Sequence, residues 1–154
     1  MGWWSTTIMG GDTPLDFKST IFEIIDRDQF KDTGKKVRVP LESSQDLFIN
    51  GKMDDILKGW GCGKTNSAFY INYKSIGFQV LAVLMMGYGC QIKPELKGLM
   101  REWILKDDWA QEDQERNTHV KDLLDKLEAY NGSAVAVKSE SLLQKFMERK
   151  ENAN

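Results

Sequence analysis

From Ile76 to Met86 the chain reads IGFQVLAVLMM, apolar at every position but Gly77 and Gln79. A surface helix carries an apolar stripe and a polar back; this run has no polar back, so other elements must surround it. It falls short of the roughly 20 apolar residues that span a bilayer. Ala, Leu and Met favour helix over a buried strand, and Gly87-Tyr88-Gly89 supplies a stop. The helix extends back through Phe69-Tyr70-Ile71-Asn72-Tyr73, with Asn66 or Ser67 as its cap. Gly77 weakens it by about 1 kcal/mol relative to Ala unless a neighbour packs closely there.

Other segments repeat the helical period. Thr13-Pro14-Leu15-Asp16 has capping-box spacing, and Phe17, Ile21, Ile24 and Ile25 form one face of the helix it opens, ended by Asp26-Arg27-Asp28. Lys31–Lys36 reads as a charged turn. Val37-Arg38-Val39-Pro40-Leu41 alternates and suggests a short strand ended by Pro40. A short helix from Ser43 or Ser44 runs through Leu47-Phe48-Ile49. A second, Lys52–Trp60, ends at Gly59 or Gly61. Pro94 opens a helix to Lys106, with Leu96, Leu99, Met100, Trp103 and Ile104 at helical spacing. Asp107 or Asp108 caps one long helix over 110–130, whose stripe is Val120, Leu123, Leu124, Leu127 and Tyr130. Ser133–Val137 is a linker or edge strand, and Ser139 or Ser141 caps a short helix using Leu142, Leu143, Phe146 and Met147. The expected fold is mainly α: residues 1–150 form a single helical domain around the buried central helix, with a small β element near 37–41 and a frayed tail over 151–154.

Composition narrows the function classes. A chain of 154 residues can bury a core without metal or disulfide staples. A net charge of −2 offers no bulk positive field, so direct nucleic-acid binding is not expected. Residues 101–130 hold nine acidic and five basic side chains, a local balance of −4, against +3 over residues 61–100. Two distant cysteines, Cys62 and Cys90, and an opening Met-Gly-Trp-Trp without a basic or long apolar region fit a cytoplasmic protein with reduced thiols and no membrane segment.

The search for chemistry is largely negative. Gly61-Cys62-Gly63-Lys64-Thr65 ends like a phosphate-binding loop, but Lys58 stands where the first glycine belongs and a helix precedes it. His119 stands alone and reads as a rim residue of its helix. Asp54-Asp55 and Asp107-Asp108 are sequence neighbours, whose side chains diverge on a helix. No cofactor and no metal site is expected. Trp3 and Trp4 are costly to leave in water, so they read as an arm packed on the core or as a partner patch. Glu112, Asp113 and Glu115 complement a helix dipole or steer a basic partner.

The opening Met1-Gly2-Trp3-Trp4-Ser5, then Ile8 and Asp12-Thr13-Pro14-Leu15-Asp16, resembles a family of small bacterial and phage proteins with a domain of unknown function. Members open Met-Gly-x-Trp and place Asp-x-x-Leu-Asp at the head of a first helix. Phe78–Met86, Pro94-Glu95-Leu96, and Trp109 ahead of Glu115-Arg116 extend the resemblance loosely over two thirds of the chain, with residues 30–70 outside it. It implies a compact, mostly helical cytosolic protein and transfers no catalytic residue.

Three functional expectations follow. The first is a non-enzymatic protein-interaction factor of host-takeover, anti-defence or immunity type, using Trp3, Trp4, Glu112, Asp113 and Glu115 to bind a protein partner. The second is a small metal-dependent hydrolase or nuclease with carboxylates assembled from Asp12, Asp16 and Asp26. The third is an acidic nucleic-acid mimic, for which −2 is a weak charge. Homo-oligomerisation through the Trp3-Trp4 arm is compatible with all three.

Overall fold

In the computed structural model, which describes residues 2–25 and 37–137, the apolar run is the second half of a longer helix around which the others pack. In chain order the helices are α1 (Asp12–Ile25), α2 (Arg38–Ser43), α3 (Gln45–Ile49), α4 (Lys52–Gly59), α5 (Ala68–Gly87), α6 (Pro94–Ile104), α7 (Asp108–Glu112) and α8 (Gln114–Ala129). Among the described residues there is no strand, only an isolated antiparallel bridge between Trp3 and Gly11. The expected end of α1 at Asp26–Asp28, the turn over Lys31–Lys36, the terminal helix after Ser139 and the frayed tail lie outside the described residues.

Ser67 caps α5 by accepting the Tyr70 N–H at 3.2 Å. From Ser75 to Ala82 every residue is buried, as a helix without a polar back requires. α1, α4, α6 and α8 surround it. Gly77 is where α1 and α4 close in: an added Cβ would lie 2.5 Å from Met53 Sδ and 3.0 Å from Phe17 Cε1. The glycine thus trades helix propensity for the close approach of two neighbours.

α4 and α5 end the same way. Gly89 has φ +73°; its N–H bonds Met86 O, and the N–H of Cys90 bonds Met85 O at 2.9 Å. Gly61 has φ +71°; its N–H bonds Lys58 O, and the N–H of Cys62 bonds Leu57 O at 3.1 Å. Both are Schellman stops, a left-handed glycine followed by a residue that turns into the core. Cys62 and Cys90 hold that following position, and both are buried free thiols. The glycine of the phosphate-loop look-alike is therefore a helix terminator.

Two expectations are corrected. Val37–Leu41 is helical: Pro40 sits in the first turn of α2, where its missing N–H has no intrahelical partner to lose, and the Leu41 N–H bonds Val37 O at 3.0 Å. The long helix expected over 110–130 is two, because Asp113 leaves helical geometry (φ −124°, ψ 117°) and accepts the Arg116 N–H at 3.0 Å, restarting the chain as α8.

Candidate functional site

The break between α7 and α8 turns Arg116 inward. Arg116 stands at i, i+4, i+7 and i+11 spacing with Val120, Leu123 and Leu127, the buried stripe of α8, so its side chain enters the core. Asp107, just before α7, meets it there. Asp107 Oδ1 caps α7 by accepting the Ala110 N–H at 2.9 Å. Its Oδ2 accepts from Arg116 Nη2 at 2.8 Å, Arg116 Nε at 3.1 Å and Gln79 Nε2 at 2.9 Å. The two charged side chains are 0% and 1% exposed.

Gln79, the polar position in the apolar run, completes the network. Its Oε1 accepts from Arg116 Nη2 at 2.9 Å, and its Nε2 also reaches Ile104 O at 3.3 Å. Ser75, one turn earlier, donates to the same carbonyl at 3.3 Å. Arg116 Nη1 donates to Thr6 O at 3.2 Å and Thr7 O at 2.9 Å, fastening the N-terminal segment to the body. All the N–H donors of the guanidinium are thereby used. Burial pushes the Arg116 pKa down and the Asp107 carboxylate pulls it back up. The guanidinium stays a cation, as arginine does in proteins generally.

Two indoles cover the pair. Trp3 and Trp109 meet edge to face with ring centroids 5.0 Å apart, and Arg116 Cζ lies 4.7 Å from one ring centre and 4.9 Å from the other. Trp3 is placed by its bridge to Gly11, where a Cβ would lie 2.6 Å from the indole. In front of this floor opens a cleft of about 260 Å³ lined by Trp3, Asn72, Ile76, Asp107, Trp109 and Arg116. Asn72 Oδ1 accepts the Asp108 N–H at 3.1 Å and ties α7 to α5. Phe69, one turn before Asn72 and 58% exposed, stacks on Tyr73 with centroids 4.5 Å apart.

The residues singled out in the sequence fall into three groups. Trp3, Glu112, Asp113 and Glu115 come to one corner: Trp3 walls the cleft, Asp113 caps α8, and Glu112 and Glu115 are exposed beside it. Trp4 is half-buried, its N–H bonded to Gly10 O. Asp12 and Asp16 lie one turn apart on α1; Asp12 accepts the Gly2 N–H at 3.2 Å and Asp16 is exposed. Asp26 lies outside the described residues, and among those described no three of His, Cys, Asp and Glu gather so as to hold a metal ion. His119 is half-buried on α8.

Asp107, Arg116, Gln79 and Trp109 were not recognised as one unit from the sequence. The signal was present as two anomalies, an amide inside an apolar run and an arginine in register with the apolar stripe of α8. The structure pairs one with the other. Comparison of the chain with family models, with curated proteins and with solved structures gave no match.

Proposed function

We propose that the chain is a non-enzymatic interaction protein that receives a protein partner at the Trp3–Trp109 corner. The observation that carries this reading is the aromatic-walled cleft set on an ion pair whose hydrogen bonds are all internal. A site of this kind offers rigid apolar walls for an anchor side chain, and the two charged side chains in its floor, Asp107 and Arg116, are engaged with each other and with internal partners. Its rigidity comes from beneath, because moving either indole would uncover a buried charge. The spare surface aromatics and the acidic stretch over 107–115 fit a host-takeover, anti-defence or immunity-type role.

Affinity capture with the full chain and with Trp109→Ala, each checked for retained helicity by circular dichroism, tests the reading. A stoichiometric protein partner bound by the wild type and lost from the folded variant is the expected result. Divalent-metal-dependent hydrolysis abolished by Asp12→Asn and Asp16→Asn would replace this reading with the hydrolytic one.

A further inference from the structure

The surroundings of the cleft specify the chemistry of what enters it. On α5, Phe69, Asn72, Tyr73 and Ile76 stand at i, i+3, i+4 and i+7, so the exposed Phe69–Tyr73 stack continues the cleft along one helix face. The other flank is acidic: five acidic residues and no basic one lie between Asp107 and Glu115. Two of them are internally engaged, Asp107 by Arg116 and Asp113 as the cap of α8. Asp108, Glu112 and Glu115 are exposed, and among the described residues no ion pair engages them. Elsewhere on the body Asp46, Asp54, Glu102, Asp122 and Glu128 each have a cation of their own, whereas Asp16, Asp55, Glu95 and Asp125 have none among the described residues; what sets 107–115 apart is a run of acids with no basic residue among them. Asp108 is the chain neighbour of Trp109 and Glu112 follows it at i+3, so exposed acids lie on the short helix that carries the cleft's Trp109.

Resting on the interaction reading, we infer that the corner takes a segment of a partner protein with a large apolar side chain flanked by lysine or arginine. The apolar side chain enters between Trp3, Trp109 and Ile76 and lies against Phe69; the flanking cations meet Asp108, Glu112 and Glu115. Apolar burial supplies the affinity, and the acids supply orientation and a salt-sensitive association rate.

Selection of a random displayed-peptide library on the full chain, followed by titration of the synthesised winners, tests this. Two folded variants decide it: Phe69→Ala, and the triple reversal Asp108→Lys, Glu112→Lys, Glu115→Lys, all at exposed positions outside the buried network. The expected winners combine an aromatic or long aliphatic residue with neighbouring Lys or Arg. They should lose about ten- to hundredfold in affinity on charge reversal and about tenfold on Phe69→Ala. Winners that lack basic residues, bind the reversed variant as well as wild type and still depend on Phe69 would overturn the inference while leaving the docking corner in place. No selected peptide, or peptides indifferent to both variants, would overturn both. A wild-type dimer in sedimentation that Phe69→Ala dissolves would make the occupant a second copy and overturn the inference as well.

Discussion

The two flanks of α5 solve the same packing problem with opposite chemistry. Toward α1 and α4 the contact is apolar and close: Gly77 admits Met53 and Phe17 to within a methyl's reach of the backbone. Toward α7 and α8 the contact is polar: Ser75 and Gln79, two and two residues either side of Gly77, join Asp107 and Arg116 in a buried hydrogen-bonded network. The apolar flank tolerates shape errors poorly and keeps its charge at a partly exposed edge, in the Lys74–Asp54 ion pair at 3.0 Å. The polar flank is costly to desolvate and safe only while every member is present. That contrast explains why the candidate site lies on the polar flank. A saturated network fixes the directions of Trp3 and Trp109, whereas an apolar contact alone fixes mainly volume.

The largest effect should come from breaking the pair. Arg116→Met leaves Asp107 buried without its cation and unfastens Thr6 and Thr7, and is expected to cost about 3–5 kcal/mol in denaturant unfolding. Adding Asp107→Leu to it should recover a substantial part, so that the double variant is more stable than the sum of the two single losses allows. A single variant within about 1 kcal/mol of wild type would show the polar flank to be solvated in solution and would remove the contrast.

On the apolar flank, Gly77→Ala should cost about 1–3 kcal/mol, although Ala is the better helix former, because the new methyl meets Met53 and Phe17. Met53→Ala in the same chain should relieve part of that cost, a coupling that thermal or denaturant unfolding of the double-variant cycle reads directly. If Gly77→Ala were stabilising, the helices would stand further apart than described.

The two flanks were not equally legible. The central helix, its cap at Asn66 or Ser67 and the helix from Pro94 follow from local periodicity and propensity, which a single stretch of sequence carries; at Gly77 the sequence posed only the condition, a cost unless a neighbour packs closely, which Met53 and Phe17 meet. Pro40 misled because alternation over five residues outweighed its tolerance in a helix's first turn, and Asp113 misled because an N-cap inside an apolar-striped segment looks like one more surface acid. The network escaped for a different reason. It joins Gln79 to Asp107 and Arg116 across 28 and 37 positions of chain, and no local pattern encodes such a pairing. Only the polar residues at core-facing positions hint at it.

Tyr70 tests the apolar flank's one polar edge. It lies two turns before Gly77 on the same stripe, and its hydroxyl donates to Asp54 O at 3.0 Å. Burial, with the Asp54 charge adding to it, pushes the phenol up to about 12. Since the unfolded value is near 10, the folded state holds this proton more tightly. The stability it contributes is complete below pH about 10 and lost as pH rises toward 12. Tyr70→Phe should flatten the alkaline limb of the stability profile and remove one late-titrating group from the tyrosinate absorbance, leaving Tyr130, whose phenol is also pushed up by burial.

Gly98 gives the control that makes the Gly77 result interpretable. It too sits inside a helix, α6, but a Cβ there would meet nothing within 4 Å. Here only the backbone argument applies: alanine narrows the unfolded ensemble and favours helix, so Gly98→Ala should stabilise by about 0.5–1 kcal/mol. Opposite signs at Gly98 and Gly77, measured by unfolding under one condition, would assign the Gly77 cost to Met53 and Phe17 and exclude a general intolerance of these helices to added methyls. Equal signs would mean that propensity governs both positions, and the close apolar contact that defines this flank of α5 would lose its support.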